Sequence, residues 1–154
     1  MSLPSFVQPL VGMWNGSSRL NLPWPPENPR LLSCESTLEL TLGTSEAYAK
    51  IDYSWTYEGE AQSGFILLTC DGEKGTASMG WSDSWHQNSS VLHLTGMVSD
   101  AKVTCLGHYT WEDSEPFGWE IELALEDGNL VLRMVNIEPS GQREWAVEAI
   151  YRRV

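Results

Sequence analysis

The chain has 154 residues, 42% of them hydrophobic and 19% charged, with a formal net charge of −12. That length favours one domain, 1–154, able to bury a core, and the composition excludes a disordered chain. The acidity argues against nucleic acid and anionic membranes as partners, because both require a basic surface.

Residues 1–11 predict a short helical lead-in, with Pro4 suited to its start and Gly12 ending it. The first residues carry neither the basic segment nor the apolar run of a secretory signal. No stretch approaches the roughly 20 apolar residues of a membrane helix. Cys34, Cys70 and Cys105 are widely spaced and odd in number. They read as reduced, buried thiols, which places the protein in the cytoplasm.

Gly12-Met13-Trp14-Asn15-Gly16 opens the first expected strand, which runs to about Leu20. The glycines let neighbouring backbone approach closely, and Trp14 is large enough to plug a closed sheet. A Pro-rich loop is expected over 22–33, with four prolines between Leu22 and Pro29. Each proline fixes φ and removes a backbone donor. Trp24 is the one aromatic ring there, placed at the rim or in a ligand mouth.

From Cys34 onward the pattern is strand, turn, strand. Leu38, Leu40 and Leu42 alternate with Thr37, Glu39 and Thr41. Over 47–57, Ile51, Tyr53, Trp55 and Tyr57 share one face. The run 63–70 is nearly continuous in apolar residues and ends at the Asp71-Gly72 hairpin signal. Over 76–85, Met79, Trp81, Asp83 and Trp85 share a face. A loop over 86–90 follows, and strands are expected over 91–97, 102–111, 119–125, 130–137 and 144–153. Each is joined to the next by a short turn, so neighbours must be antiparallel. About ten such strands bury most when the sheet closes, which also removes exposed edges. The expected fold is all-β: a closed antiparallel up-and-down β-barrel with a short N-terminal helical turn. An open sandwich is the alternative.

The two ends of the chain carry a family likeness. Gly12-Met13-Trp14 resembles the Gly-x-Trp of the calycins, the group of lipocalins and fatty-acid-binding proteins. The resemblance implies an Arg of the last strand lying across Trp14, and here that is Arg153, with Arg152 second. Trp81-Ser82-Asp83-Ser84, the Tyr53 to Gly59 strand and turn, and Glu148-x-x-Tyr151-x-Arg153 together resemble a bacterial lipocalin-like family of uncharacterised function. The Pro-rich loop and Trp85-His86 depart from that pattern. The likeness implies a barrel with a cavity and leaves the activity open.

The expected ligand-binding set is Tyr53, Trp55, Met79, Trp81 and Asp83; the expected structural set is Gly12, Trp14 and Arg153. The aromatic members line a cavity or simply fill the core. Asp83 has two readings. In the lumen, burial would raise its pKa and make it a proton donor or a polar anchor. Otherwise it caps the turn that follows. Glu120, Glu122, Arg133 and Glu148 form either a solvated outer ladder or an inward polar pocket. The outward reading fits Trp119, Ile121, Leu132 and Met134 on the other face. His86, His93 and His108 do not demand a metal, and no His follows His108 to ligate a haem, so no cofactor is expected. The main expectation is a binding module for a small, largely apolar ligand. The alternatives are an enzyme using Asp83 as general acid or base, or a homo-oligomer built on exposed Trp24 and Trp111.

Overall fold

A computed structural model describes residues 3–87 and 89–154. Met1 and Ser2 of the expected lead-in and Asn88 of the expected 86–90 loop lie outside the described residues. Ten strands follow one short 3₁₀ turn, Gln8–Leu10. They are β1 (Gly12–Leu22), β2 (Arg30–Leu42), β3 (Ala49–Tyr57), β4 (Glu60–Asp71), β5 (Thr76–Asp83), β6 (Leu92–Ser99), β7 (Lys102–Tyr109), β8 (Phe117–Glu126), β9 (Asn129–Ile137) and β10 (Arg143–Arg153). Every strand pairs antiparallel with its chain neighbours, and β1 pairs with β10 to close the barrel.

The period-two pattern decides which side chains enter the lumen. On β3, Ile51, Tyr53 and Trp55 are buried, while Lys50 and Thr56 face out. On β5, Ala77, Met79, Trp81 and Asp83 are buried in alternation. On β7 the inward residues are Val103, Cys105 and Gly107. Closure between β1 and β10 needs Gly16, because a Cβ there would lie 1.9 Å from the carbonyl oxygen of Ile150.

The lead-in seals one end. Phe6, Val7 and Leu10 are buried beneath Trp14, whose indole Nε1 donates to the Leu10 carbonyl at 2.9 Å. Arg153 lies over the Trp14 ring with its guanidinium carbon 4.4 Å from the centroid. Its Nη1 donates to the Val11 carbonyl at 2.9 Å, and its Nη2 donates to that of Pro9. A stacked, planar donor fork thereby ties the last strand, the first strand and the lead-in together.

Two expected boundaries are corrected. The irregular stretch is 23–29, not 22–33, since β1 reaches Leu22 and pairs it with Arg30. Pro29 is the last residue there that lacks a backbone donor, so the ladder resumes at once. Trp85 does not continue β5. The strand ends at Asp83, whose carboxylate takes the Trp85 and His86 backbone N–H groups and turns the chain.

On the outer face Arg133 lies among Glu122, Glu126 and Glu148, at 2.9, 2.5 and 3.1 Å. Glu120 instead pairs with Arg143 at 2.6 Å. Trp119, Ile121, Leu132 and Met134 are buried on the opposite side. The ladder therefore belongs to the solvated surface.

Candidate functional site

At the end opposite Trp14 the lumen holds a polar cluster centred on Asp83, which is 3% exposed. β3 and β5 bring Tyr53, Trp55, Met79, Trp81 and Asp83 into the lumen across the intervening β4. The Tyr53 hydroxyl donates to Asp83 Oδ2 at 2.8 Å and accepts from Trp81 Nε1 at 2.8 Å. Trp55 Nε1 donates to the same Oδ2 at 3.3 Å. Oδ1 accepts the backbone N–H groups of Trp85 and His86 at 2.7 and 2.8 Å. Met79 lies one step deeper on β5, against the core. Gly64 makes this packing possible, for a Cβ there would sit 2.3 Å from the Tyr53 ring.

The expected rise in the Asp83 pKa is reversed by this environment. Burial acts to raise the Asp83 pKa, but the His86 ring and the backbone donors outweigh it and hold the carboxyl down at about 2. Asp83 is therefore held ionised, an acceptor for Tyr53 and Trp55 and the cap of the turn that follows. Tyr53 moves the other way: burial, then the adjacent Asp83 charge, push its hydroxyl well above its ordinary value.

His86, absent from the expected ligand-binding set, joins this cluster. Its Nδ1 lies 3.2 Å from Asp83 Oδ1, an electrostatic contact without the alignment of a hydrogen bond. Its ring packs among Trp55, Trp81, Trp85 and Trp119, with centroids 4.7 to 5.8 Å away. Trp81 and Trp119 stack in parallel at 5.3 Å. The departure at Trp85-His86 was the one signal in the sequence pointing there.

Side chains fill most of the lumen. The internal void beside Tyr53, Asp83 and His86 measures about 10 Å³, room for roughly one water. The aromatic-lined space lies at the mouth. Two recesses there share Trp85, His86, Tyr109 and Trp119. One, about 360 Å³, lies against Trp24 and the Pro-rich loop; the other, about 550 Å³, opens toward Trp111. A bulge in β10 between Trp145 and Val147 turns that strand at the rim and leaves Trp145 lining the first recess. A larger depression of about 950 Å³ over β4–β6 is lined by Thr69, Ser78, Thr95 and other small residues, with no aromatic ring.

Trp24 and Trp111 are exposed at 68% and 66%. His93 and His108 face solvent on β6 and β7. Among the described residues no group of three His, Cys, Asp or Glu side chains is placed to hold a metal. No helix among them is long and apolar enough to cross a membrane.

No protein-family model matches the chain, and no curated protein matches it. Its fold is similar to the crystal structure of Rv2717c from M. tuberculosis, with a TM-score of 0.64 and 99% of each chain covered. The two sequences are 10% identical, so this likeness concerns the fold alone.

Proposed function

We propose that this protein is a calycin-like binding module that holds a small, largely apolar ligand at the mouth of the barrel. The observation that carries the reading is the 360 Å³ recess, walled by Trp24, Trp85, Tyr109, Trp119 and Trp145, with His86 among its lining residues. Its volume falls in the range of small-molecule sites, and large rings with a few polar groups are what such sites use. The Gly12-Trp14-Arg153 arrangement and the barrel topology support the calycin likeness. Three free cysteines fit a reducing, cytoplasmic setting.

The polar anchor in this reading is His86 rather than Asp83 or Tyr53. Both of the latter are engaged with each other and with indole donors. His86 Nε2 makes no hydrogen bond among the described residues, and it is the ring nitrogen turned away from Asp83 Oδ1. Asp83 orients the ring.

The test is a fluorescence titration with N-phenyl-1-naphthylamine, a neutral apolar probe, beside native mass spectrometry of freshly purified protein. Saturable probe binding lost in Trp119→Ala but kept in Trp14→Phe, at the sealed end, is the expected result. Absence of both probe binding and any co-purified small molecule would overturn the reading.

A further inference from the structure

The charge of the recess narrows the ligand class. Glu138 and Glu144 line it beside Asn21, Asn136 and Gln142, and no Lys or Arg does. The arginines nearest this end are already paired on the outer surface. Arg19 pairs with Glu148 at 3.0 Å, Arg30 with Glu58 at 2.8 Å and Arg143 with Glu120 at 2.6 Å. Glu138 and Glu144 form no ion pair among the described residues; Glu144 accepts only the Asn21 amide, at 3.1 Å. The ionised Asp83 lies beneath the same mouth, behind His86.

From this geometry we infer that the recess takes an organic cation, a quaternary or protonated amine on an apolar body. The inference rests on the mouth-binding reading above and adds the sign of the ligand's charge. Indole and phenol faces attract a cation through their quadrupole, and a desolvated contact is worth more than an exposed one. The rings here already accept one: the Arg19 guanidinium lies 5.1 Å from the centroid of Trp145. Carboxylates at the rim supply the counter-charge that a neutral ligand would not need. An anion would meet Glu138, Glu144 and Asp83, on a protein whose net charge is −12.

The experiment compares three probes of nearly one shape: (4-hydroxyphenyl)trimethylammonium, its neutral isostere 4-tert-butylphenol, and anionic 4-hydroxybenzenesulfonate. Binding to the full chain is followed by tryptophan fluorescence and isothermal calorimetry. The cation is expected to bind about tenfold tighter than the neutral phenol, ring faces and rim carboxylates acting together, with the sulfonate weakest. In Glu138→Gln/Glu144→Gln, checked for an unchanged fold by circular dichroism, that preference is expected to fall to about twofold. Equal or tighter binding of 4-tert-butylphenol would overturn the cation inference and leave the mouth-binding reading standing. A preference that survives undiminished in the double variant would overturn the part assigned to the two carboxylates. Failure of all three probes to bind would count against both.

Discussion

Arg153, near the end of β10, lies across the ring of Trp14 on β1, its guanidinium carbon 4.4 Å from the centroid. The contact joins the two strands that close the barrel and holds the Pro9 and Val11 carbonyls of the lead-in. Trp14→Ala is expected to cost about 3–5 kcal/mol, the penalty for emptying a large buried site. Arg153→Lys is expected to cost about 1 kcal/mol, because an ammonium cannot stack and donate to both carbonyls at once. Urea denaturation midpoints measure both. An unchanged midpoint in Trp14→Ala would remove its role as a plug.

Asp83 makes acid stability sensitive to one buried carboxyl. Its folded pKa is lowered to about 2, from an ordinary value of 3.8. An unfolded chain therefore binds a proton there before the folded one does. The stabilisation is complete above about pH 4 and is lost as pH falls toward 2, a change of about 2 kcal/mol. In Asp83→Asn the loss of stability across that window should be shallower, and stability at neutral pH lower by about 2–3 kcal/mol. Denaturation series at stepped pH give both readings.

Gly64 should resist substitution although it is not fully buried. In Gly64→Ala the added Cβ would meet the Tyr53 ring at 2.3 Å and its hydroxyl at 2.3 Å. Displacing Tyr53 breaks its bonds to Asp83 and Trp81. A loss of about 1–3 kcal/mol is expected, with a changed near-UV circular dichroism signal from the displaced rings. An unaltered spectrum at native stability would contradict the packing described.

The buried tyrosines set the alkaline limit. Burial raises Tyr151 to about 12, although its contact with Ser36 Oγ at 2.8 Å acts to lower it. Tyr53 is raised further by burial and the Asp83 charge. The unfolded chain would release these phenolic protons near their ordinary value of 10 while the folded chain retains them. Stability should therefore fall as pH rises above about 10. Phenolate absorbance should show Tyr53 and Tyr151 titrating only with unfolding; reversible ionisation of both in the folded protein would refute this.

The barrel was legible in the sequence because its cause is local. Alternation such as Ile51, Tyr53, Trp55 states which side of a strand is apolar, and turns such as Asp71-Gly72 state where the next one begins. The short boundary errors have local causes as well: ladder donors resume after Pro29, and Asp83 captures two N–H groups that a longer strand would have used. Trp14 and Arg153 were legible as a pair through the calycin likeness.

The site was legible only as a list of residues. That Tyr53, Trp55, Trp81 and Asp83 share the lumen follows from alternation, but which atoms meet depends on the register across β4 and on Gly64 leaving room for a ring. Only the closed tertiary structure decided that side chains fill the lumen, that the aromatic-lined space lies at the mouth, and that His86 stands there on Asp83. The sign of the Asp83 shift was decided there too. Burial raises a carboxyl's pKa, and the His86 ring with the backbone donors of the turn after β5 lowers it. The sum depends on how deeply closure buries Asp83 and on where that turn places the His86 ring.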